Sequence, residues 1–429
     1  MRSNKIHKLL FISYFFPPSG GISCQRAIRF AKYLPRFEWN TTVLTYGGKY
    51  PWRIIDRTLL NKIESMDVIR VEVPEIDRYF SSKRKKLSNL KTLSAGMLNI
   101  DVMSLWGEYV KKQIGDIMEK KQPDLILLTA PPFSSLELIK ICKKIDSDIP
   151  IIVDMRDLYW ILNPEGSFIK KLINRHQLST AMNRIPEWLS FADGLIAPTK
   201  AIVENILDEY HSPSIVVPTP YDPDDFKIIT AKYNKGEKFK ILHSGRIYRS
   251  NKPELLLEIF SLLPSDILER TQLILQGYDN DTARNIFSPY RWAKLTDFVS
   301  HRDALLSQST ADVNFVYVSE NPYRGGDLII PGKIFDYIGA GRPIFAIGPK
   351  DGALVSFVEE NKLGFSAPSE SPELCADILA KMFGLWEDNK LQKIHEEISV
   401  KYSADNVVEK LADFLDSFVD KKKINNGGR

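Results

Sequence analysis

The 429-residue chain is poor in the residues that build covalent or metal frameworks. Its three cysteines, Cys24, Cys142 and Cys375, are far apart and odd in number, which excludes a disulfide scaffold and a C-x-x-C clip. A reducing compartment suits such a chain. Six scattered histidines include no H-E-x-x-H pair, so zinc is not expected. No G-x-S-x-G elbow marks a serine hydrolase, and no G-x-G-x-x-G fingerprint marks a nicotinamide site. No apolar run approaches the roughly 18–20 residues that a membrane-spanning helix needs. The run Leu9 to Phe16 meets Pro17-Pro18 and Gly20-Gly21 with no clean cleavage site behind it, so it reads as a strand and not as a secretory signal. Net charge is +4, too small to imply nucleic acid as a partner.

What is present is a globular balance, 44% hydrophobic and 26% charged, over a length that suggests two domains. Short apolar runs alternate with helix-length stretches. In the first half the pattern predicts strands at 8–14, 41–45, 67–71, 124–128, 151–154, 194–197 and 215–217. Helices are expected at 25–34, 134–143 and 185–190. Strands apolar on both faces and separated by helices imply parallel β-α-β units with right-handed crossovers. The proline-rich stretch 218–238 reads as a linker. The alternation then restarts, with strands at 239–243, 272–276, 297–300, 312–316 and 343–347 and helices at 253–262, 301–308 and 333–338. The expected fold is α/β, with two Rossmann-like doubly wound parallel-sheet domains, 1–217 and 239–402, facing a cleft. A helix at 403–421 is expected to pack back toward the first domain, with a tail at 422–429.

Several stretches carry chemistry, each beside a plainer reading. Gly20-Gly21, between a strand and a helix, lets backbone approach an anion, or is an ordinary turn. Ile241-Leu-His-Ser-Gly-Arg246 and then Lys252-Pro253 set two cations at a helix start, a clamp for a diphosphate or two solvated surface charges. Asp336 falls in the first turn of a helix whose free N–H groups, from Gly332 and Lys333 onward, can hold a phosphate. Its carboxylate can accept two vicinal ribose hydroxyls, or merely complement the helix dipole. Asp154, Arg156 and Asp157 gather at the end of a buried strand, where an Asp154–Arg156 or Arg156–Asp157 ion pair is the structural alternative. Two D-x-D pairs, Asp222 with Asp224 and Asp279 with Asp281, lie in the linker and in a polar loop, and no metal is expected at either. The cluster Lys83-Arg-Lys-Lys86, followed by Leu98, Met103 and Trp106, suits an anionic membrane surface, or is a solvated insertion beside core residues.

Taken in order, these stretches resemble the retaining, nucleotide-sugar-dependent glycosyltransferases of the GT-B fold, family four, as found in bacterial surface-polysaccharide assembly. The matching motifs include Pro17-Pro-Ser-Gly-Gly21, Asp154-Met-Arg-Asp157, Gly245-Arg246 with Lys252, and Lys333-Ile-Phe-Asp336-Tyr337 before Gly341-Arg-Pro. The resemblance implies a nucleotide-sugar donor as substrate, no bound cofactor, and metal-independent transfer to a glycan or polyprenyl-linked acceptor. It also implies a cytoplasmic protein, peripheral on the inner face of the cell membrane. Arg246 and Lys252 would hold the donor diphosphate, and Asp336 would replace the family's ribose-contacting glutamate. The family's other glutamate falls on Leu328, with Asp327 the neighbouring candidate for the donor sugar. Arg156 stands where many members carry a histidine, and Asp157 beside it is the candidate for orienting the acceptor. The competing classes are a sugar-nucleotide epimerase of the same fold and a non-enzymatic sugar-binding protein.

Overall fold

The apolar runs of the first half form one seven-stranded sheet in which every pairing is parallel. Its strands are β1 (His7–Ile12), β2 (Trp39–Tyr46), β3 (Asp67–Val71), β4 (Leu125–Ala130), β5 (Ile151–Met155), β6 (Gly194–Ala197) and β7 (Ser214–Val216). The computed structural model describes residues 5–48, 55–74, 101, 103–159, 168–207, 210–229, 232–247, 252–277, 281–318 and 327–426. The chain divides into one unit of Met1–Pro218 with Val407–Arg429 and a second of Thr219–Asn406. The first sheet has the order β3-β2-β1-β4-β5-β6-β7, so its direction of growth reverses between β1 and β4. β4 and β5 are buried at every position, as strands covered on both faces must be.

The second unit holds β8 (Phe239–Ser244), β9 (Thr271–Gln276), β10 (Ala293–Thr296), β11 (Val313–Tyr317), β12 (Ile344–Gly348) and β13 (Gly364–Pro368). Their order is β10-β9-β8-β11-β12-β13, again all parallel, with the reversal between β8 and β11. Val313, Phe315 and Tyr317 of β11 join one apolar cluster and Val316 joins another. That is the period-two alternation of a strand sandwiched between helix layers. Open sheets of this kind take ligands beyond the carboxyl ends of the strands flanking the reversal.

Three expectations need correction, and one strand was not anticipated. The strand placed at 297–300 lies earlier, at Ala293–Thr296, because Ser300 is spent starting a helix. Its Oγ accepts the Asp303 N–H at 3.2 Å, and Phe298 stays exposed. β13 was hidden by its ends, Gly364 and Pro368, which read as loop. It is an edge strand, where both residues are tolerated. The stretch 218–238 has structure of its own: Asp222 caps the helix Pro223–Lys227, accepting the Asp224 N–H at 3.0 Å, and Tyr221 enters the second unit's core. Finally, the last helix runs over Ala404–Asn426 and so extends into the expected tail.

Candidate active site

The loop leaving β8 lies at the reversal point of the second sheet. Gly245 has φ +119, a conformation that side-chain-bearing residues avoid, and Arg246 follows it, exposed. Lys252, also exposed, has φ +48, left-handed for a residue with a side chain. Its carbonyl accepts from the Tyr317 hydroxyl at 3.3 Å and from the Leu255 N–H at 3.1 Å, contacts that hold the backbone there. Such a conformation costs about 1–2 kcal/mol. Gly277, just past β9, comes so close that a Cβ on it would lie 2.8 Å from the Gly245 carbonyl oxygen. Beside this contact is a pocket of about 240 Å³ lined by Gly245, Gly277, Ala283, Thr296 and the Arg284–Asp297 ion pair, among others.

The helix Lys333–Ala340 brings a second set of groups to the same place. Gly332 precedes it with no side-chain cap. The Tyr337 hydroxyl accepts the Ser244 N–H at 2.9 Å, which fixes the helix to the end of β8, and burial raises the Tyr337 pKa. Lys333 Nζ lies 3.0 Å from His243 Nε2, and a Cβ on Gly245 would be 2.9 Å from that amine. His243 Nδ1 lies 3.2 Å from the Phe315 carbonyl oxygen. Burial, then the neighbouring Lys333 charge, holds His243 well below its ordinary value of 6.5, and dehydration lowers Lys333 to about 7. Asp336, in the first turn, is only 6% exposed, whereas Asp327 is exposed and its carbonyl accepts the Ala353 N–H at 2.7 Å.

The structure thus places Gly332, Lys333 and Asp336 on one helix end that touches the residue before Arg246. Sequence reasoning passed over His243, Tyr337 and Gly277. His243 stands inside a motif that was read, but its partner is 90 residues away.

In the first unit, Gly21 has φ +90 and opens the helix Ile22–Tyr33, its carbonyl accepting the Cys24 and Gln25 N–H groups at 3.1 and 3.2 Å. Gly20 beside it is buried. Arg156 donates its N–H to the Ala130 carbonyl at 2.9 Å and its guanidinium to the Pro131 carbonyl, so it is tied to the loop after β4. Asp157 is exposed. Of the two ion pairs that were the structural alternative here, Asp154–Arg156 is not formed. Asp154 instead receives Arg26 Nε and Nη2 at 3.0 and 2.7 Å and the Thr129 hydroxyl at 3.0 Å. The reason is local: β5 ends at Met155, and Arg156 has already left strand geometry.

Trp106 is 1% exposed and meets Tyr14 edge-on at 5.2 Å, so it belongs to the first unit's core and has no face to insert into lipid. Lys83 to Lys86, Leu98 and Asp279 lie outside the described residues. Among the described residues, no helix is long and apolar enough to cross a membrane, and no cluster of three or more acidic, histidine or cysteine residues is arranged to hold a metal ion.

No protein-family model and no curated protein sequence matches the chain. Solved structures do match, over nearly the whole length. A glycosyltransferase from Rickettsia africae has a TM-score of 0.62 at 14% identity, over 97% of this chain and 99% of the other. The catalytic domain of starch synthase IV from Arabidopsis thaliana, bound to ADP and acarbose, has a TM-score of 0.60 at 10% identity, covering 98% and 99%. A putative UDP-N-acetylglucosamine 2-epimerase from Listeria monocytogenes has a TM-score of 0.52 at 12% identity, covering 95% of each chain. The fold is the two-domain α/β class of the GT-B glycosyltransferases.

Proposed function

We propose that the protein is a retaining, metal-independent glycosyltransferase. It would move a sugar from a nucleoside-diphosphate donor to a glycan or lipid-linked glycan acceptor in polysaccharide assembly. The observation that carries this reading is the contact between Gly245 and Lys333. It joins the cation-bearing loop after β8 to the uncapped start of the helix Lys333–Ala340, at the reversal point of a parallel sheet. A diphosphate is recognised by just those two kinds of group, side-chain cations and free helix N–H groups.

As the glycosidic bond to the leaving diphosphate breaks, negative charge grows on its oxygens while the sugar gains oxocarbenium character. Arg246, Lys252 and the N–H groups at Gly332 and Lys333 meet that charge from fixed positions, so little reorganisation is needed during the step. Asp336 faces the ribose hydroxyls and Asp327 the donor sugar. Asp157 orients the acceptor hydroxyl, Arg156 takes the place of the histidine that many members of family four carry near the reacting sugar, and the Gly20-Gly21 loop lets backbone approach an anion. Attack from the leaving-group side gives retention.

The test is turnover of UDP-, GDP-, ADP- and TDP-sugars with and without oligosaccharide and lipid-linked acceptors. Transfer should survive EDTA. Arg246→Ala and Lys252→Ala should each lower kcat/KM by about 10²–10³. Near-wild-type turnover in both variants would remove the donor assignment, and an isomerised free nucleotide sugar formed without acceptor would favour an epimerase.

A further inference from the structure

Lys333 does more at this helix start than mark its first residue. Its amine lies 3.0 Å from His243 Nε2 and takes up the space that a side chain on Gly245 would fill. The Phe315 carbonyl takes the hydrogen of His243 Nδ1 at 3.2 Å, which leaves Nε2 as an acceptor for the lysine. An imidazolium could not accept, so the pair requires a neutral His243. Among the described residues the amine has no carboxylate partner.

Several elements around it carry ionisable groups. Its own helix carries Asp336 and Tyr337, β11 carries Tyr317, and the loop after β8 carries Arg246 and Lys252. The helices Pro223–Lys227 and His301–Thr310, which both contact the helix of Lys333, carry Asp224, Asp225, Lys227, His301, Arg302 and Asp303, of which Asp225 and His301 meet each other at 3.4 Å. A charged ammonium there has a neutral imidazole beside it and, among the described residues, no carboxylate to offset its dehydration.

We propose that Lys333 is the third anion-binding cation of the site, and that a nucleoside diphosphate binds beside it together with one proton taken up from solvent. The step is a simple protonation. A buffer acid supplies the proton, a third N–H bond forms at Nζ, and His243 keeps its one hydrogen on Nδ1 throughout. This inference rests on the donor-site reading above. Dehydration that brings the unliganded amine to about 7 agrees with it. Above that pH the empty site holds a mostly neutral amine, and a bound diphosphate anion restores the charge.

The experiment is calorimetric titration of the full-length protein with UDP, ADP, GDP and TDP at pH 8 and pH 6, each in two buffers of different ionisation heat. Uptake close to one proton per bound diphosphate is expected at pH 8, and net release at pH 6, where the amine is already charged and the ligand's terminal phosphate gives up part of its own proton on binding. The ligand's own phosphate, with a second ionisation near pH 6, is already charged at pH 8 and releases little. Lys333→Arg should bind without uptake, and Lys333→Met should bind more weakly without uptake. Binding with no uptake by the wild type, or uptake that persists in either variant, overturns the inference and leaves the donor reading standing. The wild-type measurement decides alone if a variant fails to fold. No binding by any of the four diphosphates overturns both.

Discussion

Asp154 and Arg26 show how much a single buried pair can demand. Both side chains are at most 2% exposed, and they meet at 2.7 and 3.0 Å where β5 passes the helix Ile22–Tyr33. Removing water from either charge costs several kcal/mol, offset here by the two-pronged contact and by the Val217 carbonyl, which accepts Arg26 Nη1 at 2.9 Å. Asp154→Ala strands a buried guanidinium and should lower the unfolding free energy by about 3–5 kcal/mol, measured by urea denaturation. Lys333 makes a different demand. Its amine falls from 10.5 to about 7 in the folded chain, so between those values the unfolded chain binds more protons. Stability therefore rises with pH across that window and is lost as pH falls toward 7. His243, held well below 6.5, adds a loss of the same sign below that value, since only the unfolded chain protonates it there. Between pH 7 and pH 8.5, below the range where the buried Cys142 and Cys375 thiols act in the opposite sense, the melting temperature of the unliganded protein should rise with pH more steeply than that of Lys333→Met. Equal slopes in the two proteins would show that the amine stays charged.

At the scale of elements, two helical glycines make opposite predictions. Gly339 lies on the face of Lys333–Ala340 that meets Pro223–Lys227, and a Cβ there would be 2.4 Å from Phe226 and 2.7 Å from Tyr221. Gly339→Ala should destabilise by about 1–3 kcal/mol through overpacking. Gly384, in the helix Pro372–Glu387, has open space where a methyl group would sit, with nothing within 4 Å of that position. Gly384→Ala should therefore stabilise by roughly 0.5–1 kcal/mol. Thermal unfolding of the two variants would separate them, and a shared sign would contradict the packing argument. Elements with strong apolar periodicity were legible from the chain itself, such as Asp67–Val71 and Gly194–Ala197. The two edge strands of the second sheet were not. β10 is only partly buried, and β13 begins with a glycine at φ +150 that its neighbour β12 requires, since a Cβ there would meet the Ile344 carbonyl oxygen at 2.2 Å.

For the whole molecule, the chain leaves its first unit after Pro218, builds the second, and returns at Val407. Val408, Leu411, Ala412 and Leu415 of the last helix are fully buried, and the Trp39 indole donates to Asp416 at 2.9 Å. Burying a Val or Leu side chain stabilises by roughly 1.5–3 kcal/mol, so truncation before Val407 should unfold the first unit while β8 to β13 remain paired. Limited proteolysis of the truncated chain checks this, and a first unit as resistant as the full-length protein's would refute it. The sequence by itself determined the alternation of buried strands and helices, and with it two parallel sheets. It also determined the loops that carry Gly21, Arg246 and Lys252, because apolar periodicity and turn chemistry are local. Only the tertiary structure decided partners: Arg26 for Asp154 across 128 residues, and His243 for Lys333 across 90. Those pairings depend on which strands the crossovers set side by side, and a buried charge takes whichever opposite or neutral group that packing delivers.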